Sequence, residues 1–344
     1  MNMLLTSAMK SDGITIKEIA ALLNISSSTV SRVLGGKAKE FRISSETEKL
    51  IKKTAEAHNY RPNQVARNLR LQKSNTIGLV IPDISNPFFC NLALKIETEL
   101  RSRGKLILLC DTHDDSEIEK DSLQLLVDRQ VDGLLVAPVG LKGEHFENLS
   151  KPLVMIDRYF ETLSIPYVST NNYSSSYDAV KLLQGRGHKK ISCIQGLENT
   201  ISNRQRVEGY LKAMAEHDAT RFEVEVIGSD FTIQNGYESA LEVLGRKKRP
   251  TAIFSLSNQI TLGVLKATKE LKLEVPTDVS IISFDDQPYF ELTQPSISSI
   301  RQPVEEIGKE AVKLLFDLIE GKESTSKLIE ATYIERESIS APSL

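Results

Sequence analysis

Residues 14–34 read Ile14-Thr-Ile-Lys-Glu-Ile-Ala-Ala-Leu-Leu-Asn-Ile-Ser-Ser-Ser-Thr-Val-Ser-Arg-Val-Leu34. Thr15 is a good N-cap, and Glu18 three residues on completes a capping box. Ile16, Ile19, Ala20, Leu22 and Leu23 recur at helical spacing and predict a short amphipathic helix ending near Leu23. Asn24-Ile25 interrupts the pattern, and Ser26 caps a second helix whose Val30, Val33 and Leu34 can face the first. Ser27, Ser28, Ser31 and Arg32 are left outward. Two short helices joined by so tight a turn form a helix-turn-helix, whose second helix enters the DNA major groove. Small hydroxyl residues permit close approach and bond phosphates or base edges, while Arg can fork to guanine. A third helix follows, opened by Ser44 and Glu46-Thr47, with Leu50, Ile51, Ala55 and Ala57 expected on its inner side.

The 344 residues carry 40% apolar and 26% charged side chains, the make-up of an ordinary globular protein long enough for two or three domains. The net charge of −3 hides an asymmetry. Residues 1–75 hold 13 Lys and Arg against 6 Asp and Glu, a net +7, and the remainder holds 30 against 40, a net −10. A basic head on an acidic body is the electrostatic footprint of nucleic-acid binding. Cys90, Cys110 and Cys193 fit neither a disulfide framework nor a zinc pattern and read as reduced thiols. No run of about 18 apolar residues suggests a membrane span. The first nine residues are too short for a signal-peptide core, so the expected location is the cytoplasm.

From Thr76 onward, apolar runs alternate with helical stretches. Strands are expected at 77–81, 106–110, 133–137 and 153–156, with helices at 87–101 and 116–129. A second set is expected to begin at Tyr167-Val168 and to continue through 191–194, 224–227, 252–255 and 280–284. Such alternation implies right-handed βαβ units, mainly parallel sheets and two similar lobes. Ligands of these sheets lie beyond the carboxyl ends of the strands. The loops there carry Phe88 and Phe89, Asp157-Arg158, Asn203-Arg-Gln-Arg206, Phe231, Ser257-Asn258 and Asp285-Asp286. Aromatic faces beside Arg, Asp and Asn suit a sugar or another small polar ring.

Residues 14–34, together with Asn59-Tyr-Arg-Pro-Asn-Gln-Val-Ala-Arg-Asn-Leu-Arg70, resemble the amino-terminal signature and hinge of the lactose-repressor (LacI/GalR) family. The similarity continues along nearly the whole chain. It implies a small all-α helix-turn-helix head plus an α/β periplasmic-binding-protein-like core of two lobes with mainly parallel sheets. It also implies DNA contacts from Thr15, Ser26, Ser27, Ser28, Ser31, Arg32, Ser44 and Thr47. In the hinge, Asn63, Arg67 and Arg70 would meet backbone or groove floor. Ala66 would let two hinge helices approach, and Leu69 would be the wedge that opens the central base step. So short a helix is marginal alone, and in the family it forms on the operator. Phe88, Phe89, Asp157, Arg158, Ser202, Arg206, Phe231, Asn258 and Asp285 match positions that hold the effector, Arg206 and Asp285 foremost. The family commonly has Asn-Asp where this chain has Ser257-Asn258. Its loop 35–43 is longer and more basic than usual, which leaves extra phosphate contacts and a plain surface extension both open.

The expected partition is a flexible extension at 1–14, a DNA-binding domain at 15–60 and a hinge helix with linker at 61–75. An N-lobe takes 76–171 with 303–327, and a C-lobe takes 172–302 with 328–340. Arg301-Gln-Pro303 is expected as the crossover that returns a helix, 304–320, to the first lobe, and 328–337 as strand structure of the second. The chain stops without a leucine heptad tail, which points to a homodimer. A two-fold dimer implies a near-palindromic double-stranded operator. The function expected is an allosteric transcription regulator of repressor type, with a sugar as the leading class of effector, although purines and amino acids bind relatives of the fold. No cofactor, metal or catalysis is expected. Asp157, Asp285 and His188 are potential acid–base groups, but no nucleophile–base pair, metal cluster or phosphate loop accompanies them. A sugar-binding transport or sensor protein without specific DNA reading is the alternative, and it leaves residues 15–70 without a use.

Overall fold

A computed structural model describes residues 14–60, 74–140, 142–216 and 224–343. They fall into two units, one within Met1–Gln72 and one within Lys73–Leu344. The expectations for residues 1–13 and for Asn63, Ala66, Arg67, Leu69 and Arg70 lie outside the described residues.

The first unit contains α1 (Ile16–Leu23), α2 (Ser27–Leu34) and α3 (Ser45–Ala57). The capping box at α1 is formed: the Thr15 amide donates to Glu18 Oε2 at 2.8 Å, and the Glu18 amide donates to Thr15 Oγ1 at 3.3 Å. Asn24, in the left-handed region at φ 49°, stops α1 and turns the chain toward Ser26. Ile19, Ala20, Val30, Val33, Ile51 and Ala55 close the core between the three helices. Leu22, Leu50 and Ala57 face water instead of the core. On α1, Ile16, Ile19, Ala20 and Leu23 already fill the inward stripe, and Leu22 falls about 120° from its centre at 100° per residue. Leu50 and Ala57 lie similarly far round α3 from the stripe of Ile51 and Ala55.

The second unit opens with β1 (Thr76–Ile81), α4 (Pro87–Ser102), β2 (Leu106–Asp111), α5 (Ser116–Asp128), β3 (Gly133–Val136), β4 (Leu153–Ile156) and β5 (Tyr167–Thr170). There follow α6 (Asn172–Gly185), β6 (Ile191–Ile194), α7 (Ile201–Ala215), β7 (Val224–Ile227), α8 (Ile233–Leu244), β8 (Ala252–Ser255), α9 (Asn258–Glu270), β9 (Ser280–Phe284) and β10 (Ser298–Arg301). α10 (Val304–Ile319), β11 (Lys327–Ile329) and β12 (Thr332–Ile334) follow.

Two six-stranded sheets result, ordered β11-β5-β4-β3-β1-β2 and β12-β10-β9-β8-β6-β7. All pairings are parallel except β12 against β10. Inner strands such as β3, β4, β6 and β8 are buried throughout, as strands covered on both faces must be. Alternate residues of the first sheet pack under α4 and α10 on one side and under α5 on the other. In the second sheet α6 and α7 cover one face, α8 and α9 the other. No helix among the described residues is long and apolar enough to cross a membrane.

Two strand assignments differ from expectation. The strand at Tyr167 pairs with β4 in the first sheet and does not begin the second. Residues 157–166 form no helix, so the chain lays β5 beside β4 and changes lobe only after Thr170. The segment 328–337 is likewise divided: Leu328 and Ile329 pair with β5 in the first sheet, and only Thr332–Ile334 reach the second.

Candidate functional site

Within each lobe the strand order reverses beside the first strand, at β1 and at β6, the switch point where doubly wound sheets hold ligands. Loops after β1 and β4 meet loops after β7, β8 and β9, with the first turns of α7, around one cleft between the lobes. Phe88, Phe89, Asp157, Arg158, Ser202, Arg206, Phe231 and Asp285 all line it. Asn258 sits just behind, fully buried, with Nδ2 at 3.4 Å from both Asn86 Oδ1 and Asp285 Oδ2. The lining groups enclose about 20 Å³, close to the room of one water. A larger opening of about 180 Å³ lies across Arg158, among Tyr159, Phe160, Glu161 and Arg204. Its rim carries the exposed Glu161–Arg204 pair, 3.0 Å between the lobes, and it shares only Arg158 with the cleft. The convergent buried charges belong to the smaller space.

Those charges are held by opposing constraints. Asp157 and Asp285 sit at φ 60° and 69°, so both strands end in a left-handed turn that aims a carboxylate past the sheet edge. Asp157 keeps Oδ1 without a hydrogen-bond partner, and burial lifts its carboxyl to about 6 against the pull of Arg206 and Arg158. Arg158 Nη1 donates to Asp114 at 2.6 Å, leaving Nε unpaired. Its guanidinium carbon stands 5.5 Å from the ring centre of Phe89 and 5.8 Å from that of Phe231, so aromatic faces from opposite lobes address one space. Arg206 lies 3.7 Å over the Phe284 ring and donates to Asn172 Oδ1 and to the Leu256 carbonyl, each at 2.8 Å. Phe231 packs against Gly196, where a Cβ would come within 2.2 Å of its ring. Unspent donors and acceptors in a small buried space, flanked by ring faces, suit a small hydroxylated ring.

In the head, Ser27, Ser28 and Arg32 are exposed along α2 and Ser31 is half-buried. Thr15, Ser26 and Ser44 are N-caps: their oxygens accept from the amides of Glu18, Thr29 and Thr47. Ser26 Oγ also lies 2.8 Å from the hydroxyls of Ser28 and Thr29, and Ser44 Oγ 2.8 Å from that of Thr47. The caps therefore fix the start of α2 and α3, while Ser27 and Arg32 keep outward groups.

Residues 15–63 match the family of bacterial regulatory proteins, lacI family, and residues 180–339 match the periplasmic binding protein-like domain. The HTH-type transcriptional repressor CytR of Escherichia coli (strain K12) is 33% identical over 333 residues, covering 95% of this chain and 96% of that protein. The chain belongs to the lacI family. As such it is a DNA-binding transcription regulator with an effector-binding domain, and not an enzyme. Among solved structures, a LacI family transcriptional regulator from Enterococcus faecium with bound ribose is 30% identical at TM-score 0.69, over 77% of this chain and 99% of that one. The lac repressor dimer bound to operator and an anti-inducer superposes at TM-score 0.86 over 96% of this chain and 100% of that one. At 21% identity that likeness speaks to the fold, a helical head and a two-lobed α/β core.

Two residues of the cleft, Asn86 and Gln302, are not among those expected from the sequence. Asn86 caps α4 ahead of Pro87, accepting from the Phe88 amide at 3.0 Å. An Asn before Pro at a helix start carries that signal. Gln302 lies in the crossover between lobes, donates to Asp285 Oδ1 at 2.6 Å and accepts from Thr170 Oγ1 at 2.5 Å. Nothing local in Arg301-Gln-Pro303 marks it. His188 bonds Thr251 and the Ser340 carbonyl beside the amino end of β6, the opposite edge of the sheet from the cleft.

Proposed function

We propose that this chain is a cytoplasmic repressor whose grip on a near-palindromic operator is set by a pentose-class sugar held between its lobes. The observation that carries the sugar is the convergence in one narrow cleft of two carboxylates, two guanidinium groups and facing phenyl rings. A sugar hydroxyl donates to one carboxylate while accepting from a guanidinium, so several hydroxyls use both sets of groups at once. A purine base presents fewer donors to spend on Asp157 and Asp285. The bound ribose in the Enterococcus faecium relative supports the pentose scale. In this reading Phe88, Phe89, Asp157, Arg158 and the Asn86 cap bind from the first lobe. Ser202, Arg206, Phe231, Asn258 and Asp285 bind from the second.

A ligand held by both lobes stabilises closure, and space for about one water means the lobes part to admit it. Tyr159 Oη accepting from Gln205 at 2.8 Å, and the Glu161–Arg204 pair, are contacts such opening would break. The DNA side rests on Ser27, Ser28, Ser31 and Arg32 in the groove, with the caps Thr15, Ser26, Ser44 and neighbouring Thr47 at the backbone. Support for a homodimer comes from β2, an edge strand whose Leu106 is 72% exposed beside Leu108 and Leu109. The flanking helices add exposed Leu94, Ile118 and Leu125. An uncovered apolar edge of this kind asks for a partner.

Titration calorimetry of the full chain with ribose, a hexose, a purine base and a nucleoside tests the effector. Saturable binding of ribose that Asp285→Asn weakens at least about 30-fold, the loss of a charged hydrogen-bond acceptor, supports the reading. Binding of only the base or the nucleoside refutes the pentose.

A further inference from the structure

We infer that Phe41, on the extended loop after α2, positions Arg32 for base reading and thereby sets the head's preference at one base pair of each half-site. This rests on the proposed contact of Arg32 with DNA. The Arg32 guanidinium carbon lies 4.0 Å from the centre of the Phe41 ring. Among the described residues Arg32 has no ion pair; the acid nearest in sequence, Glu40, is taken by Lys37 at 3.5 Å.

The loop is anchored, not a loose extension. The Lys37 amide donates to the Arg32 carbonyl at 2.9 Å, Phe41 to Lys37 at 3.2 Å and Ile43 to Ala38 at 2.9 Å. Ala38 is buried in the head core, and Arg42 turns the chain at φ 52°. Phe41 itself stays 41% exposed and outside that core. A half-wet ring that adds nothing to the core serves as a platform for the guanidinium on it. With its guanidinium carbon over the ring, Arg32 spends no side-chain N–H on an ion pair among the described residues, which leaves donors that can fork to the two acceptors of guanine. Holding it there also removes rotamers that binding would otherwise have to freeze.

The test uses the full chain and a duplex carrying the operator recovered from a random pool by selection with that chain. Affinities are measured for this duplex and for versions with each base pair of the half-site replaced, in Phe41→Ala, Phe41→Tyr, Arg32→Ala and the Phe41→Ala/Arg32→Ala pair. Phe41→Ala is expected to reduce discrimination at one base pair about fivefold, roughly 1 kcal/mol at 1.4 kcal/mol per tenfold. The salt dependence should stay unchanged, because no phosphate contact is lost. Phe41→Tyr should restore the discrimination. Arg32→Ala should abolish it at the same base pair, and Phe41→Ala should then add nothing. A loss spread evenly over all sequences, or one that persists in the Arg32→Ala background, overturns the positioning role. Unchanged discrimination in Arg32→Ala overturns it too, and identifies the reading of Arg32, not of Phe41, as the fault.

Discussion

Asp157 carries a testable signature at neutral pH. Burial raises its carboxyl to about 6, the two arginines Arg206 and Arg158 pull it down, and Asp285 adds to the rise. A ligand hydroxyl donated to the unpaired Oδ1 favours the charged form, so binding near pH 6 should expel a proton. Sugar affinity is then expected to rise from about pH 5 to about pH 7 and level off, with a binding enthalpy that depends on the buffer's ionisation heat. Asp157→Asn should remove the buffer dependence; an unchanged dependence in that variant contradicts the assignment. Stability runs the other way. The folded value lies above the unfolded one, so Asp157 favours the fold at low pH, and that contribution fades between about pH 4 and about pH 6. These charged positions were legible in the sequence because Asp157-Arg158 and Asp285-Asp286 follow apolar strands directly. Asn86 and Gln302 were not legible as cleft residues: one looks like an ordinary cap, and the other acquires its place only when the crossover brings it to Asp285.

Helices α8 and α9 touch backbone to backbone. A Cβ on Gly236 would lie 2.2 Å from the Ile260 carbonyl oxygen, and one on Gly263 2.2 Å from that of Ile233 and 2.4 Å from the Tyr237 nitrogen. Neither neighbour is a side chain that can swing aside. Gly263→Ala is therefore expected to destabilise the chain by about 2 kcal/mol through overpacking, read as a lower denaturation midpoint. Gly185→Ala, where the added carbon meets nothing within 4 Å, should leave stability unchanged or raise it. Equal effects at the two positions would contradict the close crossing. Strand existence was readable at this scale, since continuous apolar runs such as Gly133–Val136 can only be inner strands or buried helix, and their length decides. Allegiance was not. Tyr167 and Leu328 share one sheet although the helical returns separate them in sequence, and no local pattern records which edge a strand joins.

At the scale of the molecule, a basic helical head and a two-lobed binding core were visible as a charge step and a change of periodicity near residue 75. The repeated strand order in the two sheets shows why one chemistry of loops recurs in both lobes: each sheet offers its carboxyl edge to the same cleft. Coupling between cleft and operator is a free energy shared by two sites, so it must act equally in both directions. The most direct measurement is operator affinity of the full chain, by fluorescence anisotropy, with and without ribose at a concentration shown by calorimetry to saturate the cleft. A change of about 5- to 150-fold is expected, with an equal change in ribose affinity when operator is present. Operator affinity that stays the same with the cleft saturated would contradict that coupling.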